Sequence, residues 1–368
     1  MAGFDYDLPA ERIALWPAAE RDASRLLVVE RHGSGLEHRL FRDLPSLLDP
    51  GDLLVLNDSR VFPARLRGER SNGARIELLL TERLDAAEGG SPPSPSRPSG
   101  GGAGGERWAV LARASGKIRP GEIWSLGPGL EAEVLGRLED ERLEVVLRSD
   151  SPVLDLAEER GETPLPPYIR RPVDPAVDPQ RYQTVYARRR GSCAAPTAGL
   201  HFTPALLDAL RTRGVRTASL TLHVGWATFR PLRPGEPVAP RVPPEPFDLP
   251  EATARAIDEV RRRGGRVVAV GTTCARVLEE RATQDGRVRP GSDRCALTIV
   301  PGHRFRVVEA LLTNFHLPRT SLLMLVAAFA GDASARAAYA GALSGGYRFY
   351  SYGDAMLVRA PGRGARAL

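Results

Sequence analysis

Residues 266–281, RVVAVGTTCARVLEER, carry the reading of the fold. Val267–Val270 is a run of apolar, mostly β-branched residues and reads as a buried strand. Gly271-Thr272-Thr273 follows at once, and Ala275–Arg281 then reads as a helix. A strand that turns directly into a helix is the unit of an α/β sheet. The turn also leaves free N–H groups at a helix N-terminus, which suits an anion.

The alternation continues on both sides. Asp52–Leu56 reads as a buried strand. Thr203-Pro204 opens a helix, with threonine as N-cap and proline in the first turn, and the helix closes at Gly214. Strand Val215–Val224 follows, then the amphipathic helix Glu251–Arg263. Ala310–Thr313 reads as a strand and Ser321–Ala330 as an apolar helix ending at Gly331. The middle of the chain differs. Arg75–Thr81, Arg107–Arg113, Glu122–Ser125, Leu130–Leu138 and Leu143–Leu147 are short strand-like runs. They are separated by turns such as Gly127-Pro128-Gly129 and Glu139-Asp140, with no helix among them, which argues for a small barrel or sandwich. The expected organisation is an α/β domain made of residues 1–65 and 155–368, with a β-barrel at 66–154 inserted in it. Residues 86–105 form a Pro/Gly/Ser-rich stretch inside the barrel segment and read as a flexible loop. That loop contains G-x-G-x-x-G (Gly100, Gly102, Gly105), but without a strand before it or a helix after it the match carries no nucleotide signal.

Composition bounds the function. The 368 residues suggest two domains or one large domain with an insertion, and 42% hydrophobic with 26% charged residues is a globular composition. The longest fully apolar run, Leu322–Ala330, is nine residues, whereas a bilayer span needs about 20. The N-terminal residues show no signal-peptide pattern, so a cytoplasmic, non-membrane protein is expected. The cysteines Cys193, Cys274 and Cys295 stand alone and fit a reducing compartment. His201, His223 and His316 are too widely spaced to read as a metal triad, and no metal is expected. The net charge of +6 is a mild positive field, and 50 of the 51 basic residues are arginine. Such a field favours a polyanion only weakly.

There is no G-x-S-x-G, G-x-x-x-x-G-K-[ST] or H-E-x-x-H motif, which lowers hydrolase, nucleoside-triphosphatase and zinc-protease readings. What remains is a set of polar clusters at predicted strand ends, where α/β sheets bind ligands. Asn57-Asp58-Ser59-Arg60 follows the first strand, although an Asx-turn would use the same residues. Tyr182-Gln183-Thr184-Val185-Tyr186 precedes Arg188-Arg189-Arg190. Aromatics beside arginines can stack a base and hold phosphates, although core tyrosines beside a solvated charge run look the same. Ala194–Thr203, with Thr197, Gly199 and His201, offers small residues for close approach and a histidine whose pKa can fall beside a helix. Thr221-Leu222-His223-Val224-Gly225, Gly271-Thr272-Thr273 with Arg276, Thr313-Asn314-Phe315-His316 and the aromatic-rich Tyr347–Met356 complete the set. Arg276, one turn into its helix, reads as a carboxylate ligand.

Taken together, these segments resemble the S-adenosylmethionine:tRNA ribosyltransferase-isomerase family of queuosine synthesis. The resemblance runs collinearly from Phe4–Pro9 and Arg21–Leu27 to the end of Tyr347–Met356. APTAGLHF (195–202), TNFHLP (313–318) and YSYGDAM (350–356) are its most specific parts. It implies an α/β domain with an inserted β-barrel, a monomer, no metal and no cofactor, S-adenosylmethionine being consumed as a substrate. It further implies transfer of the ribosyl portion of S-adenosylmethionine to a 7-aminomethyl-7-deazaguanine base at the tRNA wobble position. The products are epoxyqueuosine-tRNA, adenine and methionine.

A base must then take the proton beside the sulfonium: His201 first, His223 second. Asp58, Asp354 or a tyrosine would protonate the leaving adenine. Gly271, Thr272, Thr273 and Arg276 would bind the methionine carboxylate. Tyr168, Tyr182 and Arg188–Arg190 would hold the anticodon loop. Asn57, Ser59, Arg60, Gln183, Thr184, Thr197, Gly199, Asn314, His316 and Tyr352 complete the expected substrate contacts. Two segments depart from the family pattern. Gly225-Trp226-Ala227-Thr228-Phe229 replaces Gly-Ala-Gly-Thr-Phe. Of a usual His-x-Met-His-x-Glu, the stretch Arg241–Glu245 keeps only Glu245. The alternatives are a catalytically altered or silent RNA- or nucleoside-binding relative, and an S-adenosylmethionine enzyme acting on a free small molecule.

Overall fold

The computed structural model of the chain describes residues 5–84, 105–225 and 243–360. Most of the 86–105 loop, Trp226, Arg241 and Val242 therefore lie outside the described residues. The first part gives β1 (Arg25–Glu30), β2 (Leu36–Leu40), α1 (Leu44–Leu47), β3 (Leu53–Asn57) and the short β4 (Ser59–Val61). Six strands follow: β5 (Arg65–Arg70), β6 (Arg75–Arg83), β7 (Glu106–Ala114), β8 (Ile123–Ser125), β9 (Leu130–Arg137) and β10 (Leu143–Ser149). Then come α2 (Val153–Arg160), α3 (Asp178–Arg181), β11 (Arg189–Ser192), α4 (Pro204–Thr212) and β12 (Arg216–Leu222). The chain continues through β13 (Glu245–Leu249), α5 (Glu251–Arg262), β14 (Val267–Val270), α6 (Thr272–Glu280), β15 (Gly291–Cys295) and β16 (Ala310–Asn314). It ends with α7 (Ser321–Ala330), α8 (Asp332–Ser344) and β17 (Ala355–Arg359).

The fold is a mixed α/β structure carrying a closed barrel. A nine-stranded sheet runs in the order β15-β13-β12-β3-β14-β16-β17-β1-β2, and β12, β3, β14 and β16 are mutually parallel. Alternate residues of these strands enter two different cores, because successive side chains point to opposite faces. Leu53, Val55, Val267, Ala269 and Leu311 join one core with α5, α6, α7 and α8. Leu54, Leu56, Val268, Val270 and Leu312 join the other with Leu44 and Leu47 of α1 and Leu206 and Leu210 of α4. The sheet is covered on both faces, which is why its strands read as continuous apolar runs.

The strand that follows β3 in the sheet on one side is β12, and on the other side β14. The chain thus builds β12 and β13 on one side of β3 and then crosses through α5 to β14 on the other, and the crevice outside the carboxyl end of β3 is the topological switch point. Because β17 is antiparallel to β16, the loop before β17 returns to that same edge, with Asn314 paired to Ala355.

Strands β5 to β10 close a barrel in the order β10-β7-β6-β5-β8-β9. Its core holds Trp124, Leu66, Leu78, Val110, Leu130 and Val145. The sequence reading has five strand-like runs here; the structure adds β5, where RLRGER hides its alternation among charges. Leu156 and Ala157 of α2 also pack into the barrel core, as do Phe62 and Cys193, so that core reaches past the 66–154 segment. Helix α4 keeps its expected cap, Thr203 Oγ1 accepting the Leu206 N–H at 3.1 Å. Among the described residues no single helix is long and apolar enough to cross a membrane.

Candidate active site

The carboxyl edge of the parallel strands gathers most of the polar clusters. Asn57, the last residue of β3, uses its amide as a strand extension. Its Oδ1 accepts the Leu222 N–H at 3.0 Å and its Nδ2 donates to Leu222 O at 3.0 Å. Nδ2 also reaches Thr273 Oγ1 at 3.3 Å. One side chain thus stitches together the ends of β3 and β12 and the start of α6. Beside it, Asp58 is buried and accepts the Thr221 hydroxyl at 2.6 Å. Burial raises the Asp58 carboxyl above its ordinary value, against the pull of Thr221, Arg189 and Arg188. Ser59 lies fully buried in β4, while Arg60 points outward and pairs with Glu158 at 3.5 Å.

The two histidines at this edge differ in what their rings can still do. His201 ends the 3₁₀ turn Thr197–His201 and is buried against the Phe41 ring, 4.9 Å between centroids. Burial pushes its pKa down to about 4, so it is neutral at pH 7. Its Nε2 meets Asn314 Nδ2 at 3.3 Å, and the same Nδ2 donates to Tyr350 O at 3.2 Å. The carbonyl fixes the amide orientation, so Asn314 donates its second hydrogen to Nε2 and occupies the basic lone pair.

His223 follows β12, and burial, then Arg189, push its pKa down to about 4. Its Nδ1 is buried and has no hydrogen-bond partner among the described residues. The ring packs over Gly191: a Cβ built there would lie 3.0 Å from Cε1 and 3.1 Å from Nδ1. Gly191 also has φ +134°, so no larger residue fits beneath the imidazole. His201 Nε2 is thus engaged by Asn314, whereas His223 Nδ1 has no partner among the described residues.

Around them, Gly271 (φ +90°) caps α6 at the start of Thr272 and Thr273, and a Cβ built on it would lie 3.7 Å from Ala198 Cβ. Thr197 begins the 3₁₀ turn and Gly199 lies within it. Gln183 pairs with Val61 through both its amide atoms, 3.1 and 3.0 Å, and holds the 182–186 segment against β4. Tyr168 bonds Ser351 Oγ and packs edge-on against Tyr350. Tyr182 packs edge-on against Tyr352, whose hydroxyl donates to buried Asp178 at 3.0 Å. These last two rings belong to a core with Leu165, Ile169 and Leu200. Their packing gives them a framework part.

Three expected site residues are occupied elsewhere. Arg276 is buried and ion-paired with Glu245, and its Nε and Nη2 donate to Leu297 O at 3.0 Å and Cys295 O at 3.2 Å. The guanidinium therefore ties α6 to β13 and β15 and is not offered to a ligand carboxylate. Glu245, retained from the family pattern, also accepts the Gly225 N–H at 2.7 Å and so anchors the chain just after His223. Asp354 accepts the Arg25 and Arg348 N–H groups at 3.0 and 2.8 Å and pairs with the Arg25 guanidinium at 3.1 Å. It is a brace between the β1 and β17 ends. His316 bonds Thr313 Oγ1 at 2.9 Å through Nε2, and its backbone N–H donates to Tyr339 OH of α8 at 3.0 Å. It is turned into the core. Among the described residues, no group of three or more His, Cys, Asp or Glu side chains converges as a metal set would. The sequence reading passes over Gly191 and quotes Thr221 and Tyr186 within their clusters without giving either a role. The position of Gly191 directly after an arginine run was its one visible signal.

The family model described as queuosine biosynthesis protein matches residues 1–358. The chain is 49% identical over 355 residues to the S-adenosylmethionine:tRNA ribosyltransferase-isomerase of Pelobacter propionicus, covering 96% of this chain and 98% of that protein. It is 50% identical over 360 residues to the protein of the same name from Anaeromyxobacter sp. strain Fw109-5, covering 97% and 98%. It also resembles the crystal structure of the S-adenosylmethionine tRNA ribosyltransferase of Thermotoga maritima, with 38% identity, a TM-score of 0.53 and coverage of 97% and 99%.

Proposed function

The chain belongs to the queuosine biosynthesis protein family, and from that premise we propose how its strand-end edge works as an S-adenosylmethionine:tRNA ribosyltransferase-isomerase. The observation that carries the reading is the end-to-end match to proteins of that name at 49% and 50% identity. S-adenosylmethionine is consumed as a substrate, and no separate cofactor or metal takes part. The acceptor is the 7-aminomethyl-7-deazaguanine base at the wobble position of a tRNA, and epoxyqueuosine-tRNA, adenine and methionine are the products. The enzyme acts as a cytoplasmic monomer on the anticodon loop.

The sulfonium acidifies the adjacent C–H of the ribosyl carbon. His223, neutral at pH 7 and with Nδ1 unengaged, takes that proton. The pair left on that carbon forms a C=C bond as the ring C–O bond breaks, and the ring oxygen becomes a carbonyl as the C–N bond to adenine breaks, a protonated Asp58 supplying the proton adenine needs. The aminomethyl nitrogen adds to the C=C bond, and the carbanion this leaves beside the sulfonium closes on the carbonyl, whose oxygen displaces methionine from the carbon to form the epoxide. The raised pKa of Asp58 favours the acid form, and the Thr221 hydroxyl holds it in place. His201 acts through Asn314, fixing the loop before β17 against the 195–202 turn; it is a positioning residue. The N–H groups at Gly271–Thr273 receive the methionine carboxylate. Arg188, Arg189 and Arg190 are exposed beside His223 and face the RNA phosphates.

The test follows adenine release from S-adenosylmethionine in the presence of tRNA carrying the aminomethyl-deazaguanine base, with mass analysis of the digested tRNA. Equimolar adenine and epoxyqueuosine nucleoside is expected, with tRNA binding that weakens steeply as salt rises. Turnover on the free base alone, or none at all, would contradict the reading.

A further inference from the structure

Of the three hydroxyls in the Tyr182–Tyr186 segment, that of Tyr182 sits in the framework core and those of Thr184 and Tyr186 are left unused by the scheme above. Tyr186 and Thr184 both pack on Gly199, within the 3₁₀ turn that ends at His201. A Cβ built on Gly199 would collide with Tyr186 Oη and come within 2.8 Å of Thr184 Cγ2, so glycine is required there. Tyr186 Oη and Thr184 Oγ1 are buried, and neither has a hydrogen-bond partner among the described residues. Ser59 Oγ is in the same condition one strand away. Burial drives the Tyr186 phenol well above its ordinary pKa, with Cys274 and Asp58 as the next causes.

A buried hydroxyl without a partner weakens the folded state, because its bonds to water are lost and not replaced. Phenylalanine at 186 and valine at 184 would fill nearly the same volume without that cost. The unpartnered hydroxyls of Tyr186 and Thr184, which rest on one glycine through Oη and Cγ2, match a ligand group that both donates and accepts. A carboxylate needs only donors, and the α6 N-terminus offers those. A sulfonium needs an anion or an aromatic face. A vicinal diol meets both hydroxyls on equal terms. We propose that Tyr186 and Thr184, over Gly199, form the subsite that binds the ribose hydroxyls of S-adenosylmethionine.

The proposal rests on the ribosyltransferase reading. It is tested with Tyr186→Phe and Thr184→Val, each made separately in the full chain. Three quantities are measured: melting temperature without ligand, KM for S-adenosylmethionine in adenine release at saturating tRNA, and the same KM for an analogue lacking one ribose hydroxyl. Both variants are expected to melt at or above the wild-type temperature. Each should raise KM for S-adenosylmethionine about tenfold, as loss of one hydrogen bond does. The penalty that the deoxy analogue suffers in the wild type should shrink in at least one variant. Unchanged KM in both, or a deoxy penalty equal in all three proteins, overturns the subsite while wild-type turnover leaves the ribosyltransferase reading standing. A wild type that releases no adenine overturns that reading and the subsite with it. If Tyr186→Phe does not fold, Thr184→Val alone decides.

Discussion

The barrel and the strand-end edge treat their polar side chains in opposite ways. On the barrel, charges are paired across and along the strands: Arg70 with Glu122, Arg107 with Glu144, Arg142 with Asp140 and Glu82, Arg148 with Glu133. The one buried side-chain atom of its strands without a hydrogen bond is Arg65 Nε, and that lies 3.6 Å from Glu77. At the edge, Ser59, Thr184, Tyr186, His223 and Asn314 each bury a polar atom without a partner among the described residues. Folding alone satisfies the first region. The second is left unsatisfied, as expected of a place whose remaining partners are supplied by substrate. Among the described residues Glu158, Arg181, Tyr182 and His303 carry such atoms as well, so the contrast is one of density and not of kind.

The largest effect that can break this contrast is at His223. Its replacement by Asn should lower adenine release about 10³-fold, within the range for loss of a general base, while tRNA binding is kept. Steady-state and binding assays check this. Near-wild-type turnover would return the role to His201. Next, Trp124→Ala, at a fully buried barrel position, should cost about 3–5 kcal/mol of stability by denaturant titration. It should leave kcat at low temperature within about twofold of wild type, because the barrel supplies none of the proposed reacting groups.

Acid sharpens the contrast further, because the barrel strands contain no histidine. His201 and His223 hold folded pKa values of about 4, below the ordinary 6.5. Between those values the unfolded chain binds more protons than the folded one. Their contribution is therefore full above pH 6.5 and is lost as pH falls toward 4, about 3 kcal/mol for each fully shifted group. Unfolding titrations at pH 7.5, 6 and 5 should show the decline, and His223→Asn should make it shallower without abolishing it, because His201 and His316 remain. The smallest effect is expected at Arg107→Ala. Its pair with Glu144 is half exposed, and such pairs contribute about 0–1 kcal/mol.

Much of this was legible in the chain. The apolar runs at Val267–Val270 and Ala310–Thr313 announced buried parallel strands, and the clusters following them fell at one edge because parallel strands share a direction. β1 and β17 went unread, although LLVV and MLV are apolar enough, because no turn or helix signal framed them as strands. Helix α8 was missed since Gly331 reads as a stop, whereas here it joins two helices at φ +90°. The site roles were less legible for a different reason. Arg276 and Asp354 look like ligands and donors in sequence, but their partners Glu245 and Arg25 lie 31 and 329 residues away. Nor can spacing show that Asn314 fills the His201 lone pair while His223 keeps a nitrogen free. Long-range pairing decides which polar residue is spent on the fold and which is left for chemistry.

The most direct test of that division is backbone hydrogen exchange on the full chain, with and without saturating S-adenosylmethionine. The account predicts new protection at residues 57–60, 184–201, 221–225 and 271–273, with the barrel strands unchanged. Protection confined to the barrel, or absent from those four segments while the ligand is bound, would contradict it.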